Sequence, residues 1–103
     1  MSTNPRLITV KKNKDGPKKL TAVFGLGDGK TKVVKFGAKG YSDYTIHKDK
    51  DRRERYRIRH KTDLKTKDPT RPGFLSWYIL WGNSTNLDQN IKKYKTMIRT
   101  GKV

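Results

Sequence analysis

Three short stretches near the N-terminus alternate apolar and polar residues with a period of two: Leu7 to Lys12, Leu20 to Gly25 and Thr31 to Gly37. Each is rich in β-branched or aromatic side chains, and such alternation marks a strand with one buried face. The segments between them, Asn13-Lys14-Asp15-Gly16-Pro17 and Leu26-Gly27-Asp28-Gly29, carry turn residues, so the pattern predicts an antiparallel meander. Ile8 and Val10, then Leu20, Ala22 and Phe24, then Val34 and Phe36 are expected on the buried face. Thr9, Lys11, Lys19, Thr21 and Lys35 fall on the other.

From Asp49 to about Lys61 the period changes. Acids stand in the first turn and bases in the last, as a helix macrodipole prefers. The only apolar residues there are Tyr56 and Ile58, so this helix is expected to pack by a narrow edge, helped by the stems of its arginines. Thr62 to Arg71 reads as a polar linker, broken at Asp68-Pro69 and Arg71-Pro72. Thr70 is placed to cap the next helix, and Pro72 suits its first turn. Phe74, Trp77, Tyr78 and Trp81 recur at helical spacing, which predicts a short, mostly buried helix that stops at Gly82. Ser84 or Thr85, with Asp88 three residues after Thr85, resembles a capping box. The helix it opens carries Leu87, Ile91, Tyr94 and Ile98 on one stripe, turns Lys92, Lys93, Lys95 and Arg99 toward water, and ends at Gly101. The fold class is therefore α+β: a small antiparallel β-meander of about three strands followed by three α-helices. Residues 1–103 form a single basic domain, with the meander in 1–40 and the helical part in 41–103.

Composition sharpens this picture. Only 31% of the residues are hydrophobic and 34% are charged, so the core has to be concentrated in a few segments built around large aromatic side chains. Twenty-six Lys and Arg against nine Asp and Glu leave a formal charge of +17, which favours anionic partners. The basic residues run through the whole chain rather than forming a tail. There is no Cys, which excludes disulfides, thiolate zinc sites and cysteine nucleophiles. His47 and His60, the only histidines, lack the four-residue spacing that puts two ligands on one helix face, so no metal is expected. The first ten residues hold no apolar run of the kind a secretory signal needs. The longest apolar-rich stretch, Phe74 to Trp81, is far shorter than the roughly 20 residues of a membrane span. A soluble, cytosolically made protein is expected.

Catalytic patterns are absent. Gly25-Leu26-Gly27-Asp28-Gly29-Lys30-Thr31 ends like a phosphate-binding loop, but Phe24 stands where that loop needs its first glycine, and a strand follows where a helix should. It reads as a hairpin turn. Asp43, Asp49, Asp51 and Glu54 are not arranged by spacing around a pocket; they read as local partners for Lys50, Arg52, Arg53 and Arg55. Ser42 and Ser76 lack the context of a nucleophile. Neither an enzymatic activity nor a cofactor nor a small-molecule substrate is expected.

The sharpest chemical feature is the basic run from Lys48 onward. Lys48, Lys50, Arg52, Arg53, Arg55, Arg57, Arg59, His60 and Lys61 are the candidate polyanion-binding residues. The planar fork of arginine binds phosphate or carboxylate through two parallel hydrogen bonds and stacks on a base. On a helix the five arginines point in several directions, as in an element contacted on more than one side. Tyr41 and Tyr44, in a polar turn, are candidates for base stacking or partner contact. No signature of a sequence-reading module is present, whereas contact with phosphates needs only charge.

The stretch Phe36-Gly37-Ala38-Lys39-Gly40-Tyr41-Ser42-Asp43-Tyr44-Thr45-Ile46-His47-Lys48-Asp49, followed by Arg53-Glu54-Arg55-Tyr56, Arg59-His60, Gly73-Phe74, Trp77 and Leu80-Trp81, resembles a family of small basic proteins encoded by large nucleocytoplasmic DNA viruses. The resemblance covers about residues 33–98 and leaves the first strands outside. It implies a minor capsid or core component of a virus particle, located in the virion and, during assembly, in the virus factory of the host cytoplasm. The partners it implies are viral capsid or core proteins, DNA or RNA through phosphates, or an anionic membrane surface. No catalytic residue carries over. The alternative reading is a free, non-specific nucleic-acid-binding protein that compacts or protects viral DNA or RNA.

Overall fold

The computed structural model describes residues 5–101. Three strands, β1 (Arg6–Lys12), β2 (Lys18–Gly25) and β3 (Thr31–Ala38), form an antiparallel sheet in the order β1-β2-β3. This is the meander that the alternating pattern predicts, and with the helices that follow it makes an α+β fold. Asn13 closes the first turn: its backbone N–H donates to the Lys19 carbonyl at 2.8 Å and its side-chain amide to the Lys18 carbonyl at 3.0 Å. The glycine-rich segment is a hairpin turn closed by Leu26 N–H on the Lys30 carbonyl at 2.8 Å, and it leads into β3.

Leu20, Ala22, Phe24, Val34 and Phe36 are buried on one face, as expected. Ile8 is not: it is 41% exposed, and Leu7 is buried instead. The reason is a bulge. Leu7 pairs with Phe24 and Thr9 with Val23, so Ile8 is an extra residue opposite nothing. One inserted residue reverses the alternation of a strand on either side of it.

After the sheet comes a single helical turn, α1 (Tyr44–His47), too short to show a period in the sequence. The Asp43 carboxylate caps it, accepting from Thr45 N–H at 2.9 Å. Helix α2 (Lys50–His60) follows, with the Asp49 carboxylate accepting from the N–H groups of Asp51 and Arg52. The segment expected to be a plain linker continues as a 3-10 helix over Lys61–Thr66. Helix α3 (Pro72–Leu75) runs directly into a wider π-type turn, Ser76–Leu80, and α4 (Leu87–Thr100) closes at Gly101 in the left-handed conformation.

Two expected caps are reassigned. Thr70 does not cap α3: its hydroxyl donates to Asp68 at 2.6 Å and accepts from Lys32 Nζ at 2.9 Å, which ties the linker to β3. Burial works against the Asp68 charge, but the two hydrogen bonds from Thr70, with Lys32 and Arg71 nearby, outweigh it and hold the carboxyl below its usual range. For α4 the cap is Asn86, whose side chain accepts from Gln89 N–H at 3.1 Å, while Ser84 Oγ accepts from Asn86 N–H. Ser84 thus shapes the entry to the helix rather than opening it.

One apolar cluster joins sheet and helices, with Phe74, Leu75, Ile79, Leu80, Trp81, Tyr94 and Ile98 against the inner sheet face. Leu87 and Ile91, of the expected α4 stripe, lie at its half-buried margin. Asn90 is the polar member of that stripe. Only 3% exposed, it donates to the carbonyls of Ile79 at 2.9 Å and Ser84 at 2.8 Å and accepts from Ser84 N–H at 3.2 Å. It fastens the end of the aromatic helix to the start of α4. Asn90→Leu strands these backbone groups in the interior and is expected to cost about 2–4 kcal/mol. Urea denaturation measures it; a loss under about 1 kcal/mol would mean that the backbone groups find other partners.

Candidate polyanion-binding site

Helix α2 has no fully buried residue. A half-buried stripe of Arg53, Tyr56, Arg57 and His60 holds it down, spaced i, i+3, i+4 and i+7. Ile58, expected on the packing edge, is 71% exposed. Helical phase decides this: Ile58 lies about 200° around the helix from Tyr56, and the stripe is centred on Tyr56 and its neighbours.

The stripe meets the C-terminal end of the aromatic helix, where the last carbonyls have no helical partner. Arg53 Nε donates to the Gly82 carbonyl at 2.7 Å and the Trp81 carbonyl at 3.3 Å, and its Nη2 donates to Asn83 Oδ1 at 2.7 Å. Arg57 Nη1 donates to the Trp81 carbonyl at 2.9 Å. Two guanidiniums thus also face the negative end of the helix dipole. The chain turns so tightly here that a Cβ on Gly82 would sit 2.2 Å from the Tyr78 carbonyl oxygen. The Arg57 guanidinium lies 4.2 Å from the centre of the Trp77 ring, and that of Arg53 lies 5.4 Å from Tyr44. Burial, then the neighbouring Arg53, lower the pKa of Arg57; an arginine remains cationic all the same. Arg53 and Arg57 are therefore fastenings of the fold and leave the set of free polyanion-binding residues.

Tyr56 completes the attachment. Its ring stacks on Trp81 with centroids 4.1 Å apart and on His60 at 4.2 Å, one ring on each face. Burial, reinforced by the Asp63 carboxylate, raises its phenol pKa to about 12.

Arg52, Arg55 and Arg59 emerge on a neighbouring face of α2 at i, i+3 and i+7, and all three are exposed. They line a cleft of about 580 Å³. The facing wall is the end of the sheet at Lys19, Gly37 and Ala38, followed by the segment from Tyr41 to Asp43, and Tyr56 and Trp81 lie deeper. Gly37 lets the end of the sheet pack closely on Leu80: its φ is +77°, and a Cβ there would come within 2.7 Å of Leu80 Cδ1. Lys19 and Asp43 pair at 2.7 Å, with Asp43 buried, so that side of the cleft is neutralised internally. The arginine side is not. Among the described residues no arginine of α2 forms an ion pair, and neither Asp51 nor Glu54 forms one. The expectation that these acids pair with the run is not met: Asp43 pairs with Lys19, and Asp49 caps α2.

The remaining candidates divide. Tyr41 is 74% exposed at the cleft rim, whereas Tyr44 is 5% exposed in the core and presents no face to a base. His60 lines the cleft with its Nδ1 3.2 Å from Asp63. Lys48 is exposed in the left-handed turn that ends α1. Lys50 and Lys61 border a separate groove on the other flank of α2, beside Ile58. Among the described residues no group of His, Asp and Glu gathers in a metal-holding arrangement, and no helix is long and apolar enough to cross a membrane. What sequence reasoning missed was the fastening itself. The signal was the spacing of Arg53, Tyr56, Arg57 and His60, which a purely apolar pattern passes over.

A family model described as "Family of unknown function (DUF5754)" matches residues 8–60, just over half of the chain. The match takes in the first strands and stops at the last residue of α2. No curated protein and no solved structure matches.

The division of labour among the arginines is measurable. Arg53→Ala and Arg57→Ala are each expected to lower stability by about 2 kcal/mol, through lost charge-assisted hydrogen bonds to stranded carbonyls. The combined R52Q/R55Q/R59Q variant is expected to stay within about 0.5 kcal/mol of the parent. Equal losses in the two groups would sink the assignment. In alkali, Tyr56 holds its proton in the folded state up to about pH 12 while the unfolded chain releases it near 10. The unfolded state then binds fewer protons, so stability is expected to fall as pH rises from about 10 to 12. Replacing Tyr56 with Phe should lessen that slope in pH-dependent urea titrations, leaving the part due to Tyr94, whose phenol pKa is also raised by burial.

Proposed function

The chain belongs to that family, and we propose that it is a non-enzymatic structural protein that binds a polyanion through α2. The ligand its chemistry fits best is the phosphate backbone of a nucleic acid. The observation that carries this reading is the cleft in which Arg52, Arg55 and Arg59 stand exposed with no carboxylate paired to them. A folded domain of net charge +17 that presents three guanidiniums from one helix face suits phosphate, to which each fork can donate two hydrogen bonds. Tyr41 at the rim offers a ring to an unstacked base. The site carries no base-reading element, and the binding proposed is non-specific.

The setting proposed is the one the viral resemblance implies: a minor capsid or core component of a large DNA virus particle, in contact with packaged nucleic acid and neighbouring capsid or core proteins. A free protein that coats viral DNA or RNA would use the same cleft, and location separates the two. Mass spectrometry of purified, nuclease-treated particles is expected to find this chain; its absence would end the particle setting and leave the free form.

Binding itself is tested by fluorescence anisotropy with labelled duplex and single-stranded DNA across a salt series. Affinity is expected to fall steeply with salt, and R52Q/R55Q/R59Q, losing about three phosphate contacts, should reduce the log–log slope by roughly 2.7 on duplex DNA. Weak binding indifferent to salt would overturn the proposal.

A further inference from the structure

We infer a second phosphate-binding groove, between β1 and α4, that makes this protein a bridge between two nucleic-acid segments. The inference rests on the backbone-binding reading above and extends it to a separate surface. Tyr94 and Ile98 seat one stripe of α4 in the core. The helical repeat then brings Lys92, Lys95 and Arg99 out together at i, i+3 and i+7. This is the same spacing that Arg52, Arg55 and Arg59 show on α2. Arg6 faces them from the start of β1, and the four enclose a groove of about 620 Å³ floored by Leu7 and Ile8. All four are exposed, and among the described residues none forms an ion pair. The groove therefore repeats the property that marks the first cleft: basic side chains held in a row with no acid to neutralise them.

The two sites share no residue. The strand register puts them at opposite ends of the sheet. Arg6 and Leu7 pair with Gly25 and Phe24 at the end of β2, while the first cleft borders Lys19 near its beginning and Ala38, the partner of Lys18. Lys19 and Phe24 are separated by about 17 Å of extended strand. Separated in this way, each site can take its own nucleic-acid segment.

The test is a two-duplex capture. Biotinylated duplex DNA is held on beads, a second fluorescent duplex is free in solution, and the intact chain is added in increasing amount. The second duplex is expected to be retained, then released again as excess protein saturates each duplex separately. The variant R6Q/K92Q/K95Q/R99Q should still bind a single duplex by anisotropy, but capture of the second should fall by about tenfold or more at low salt. R52Q/R55Q/R59Q should fail in the same way from the other side. Unchanged urea midpoints keep misfolding out of the comparison. Capture undiminished in the groove variant would overturn the inference, since bridging would then come from self-association. So would loss of all single-duplex binding in that variant, which would make the two sites one surface. A groove variant that loses only its adhesion to phosphatidylserine vesicles would overturn it in favour of a lipid headgroup. If the parent chain binds no duplex at all, the earlier reading fails; if it binds but does not bridge, only this one does.

Discussion

Arg53 and Arg57 hold α2 in place by closing the carbonyl end of the neighbouring aromatic helix, with Tyr56 stacked on Trp81 between them. Without that contact α2 has little reason to lie where it does, since it buries no residue completely. The contact also fixes its rotation. Once 53, 56, 57 and 60 face inward, the 3.6-residue repeat leaves Arg52, Arg55 and Arg59 turned together toward the end of the sheet. The outward chemistry is thus set by an inward attachment made of the same residue type. Arginine can serve both ends because its fork fits a pair of stranded carbonyls as well as it fits a phosphate.

The few acidic residues have local structural work as well as charge. Asp43 and Asp49 accept from backbone N–H groups at the starts of α1 and α2, Asp28 accepts from Lys30 N–H in the hairpin, and Asp68 from Thr70 in the linker. Three of them also pair with Lys19, Lys30 and Arg71, and 26 basic residues against nine acidic ones leave most lysines and arginines without a carboxylate. Repulsion among these cations opposes compaction, and any polyanion that binds only the folded form relieves it. Structure and ligand binding are thereby linked through one electrostatic term, more strongly at low salt than at high.

The sheet was legible because its two-residue period is strong and its turns hold Gly, Pro and Asn at the demanded places. The one misplaced residue, Ile8, follows from a bulge that no alternation rule anticipates, because the insertion is visible only in the pairing. Helices α2 and α4 were legible from charge order and from the Leu87, Ile91, Tyr94 and Ile98 stripe. The single turn α1 is too short to show a period, so nothing in the sequence places Tyr44 in the core, where it belongs. Of the basic run, the sequence identified the segment but could not sort its members. That sorting depends on carbonyls some 25 residues further along, at Trp81 and Gly82, beyond the matched family segment.

The bulge at Ile8 reaches beyond its local geometry. An open three-stranded sheet has two unpaired edges, each a template onto which another chain can add a strand. Here one edge is interrupted at the bulge and flanked by Arg6, Lys11 and Lys12, while the other carries Lys32 and Lys35. Edge-to-edge fusion would need to press these cations together across a distorted register. Copies brought close together can therefore lie side by side without merging strand to strand.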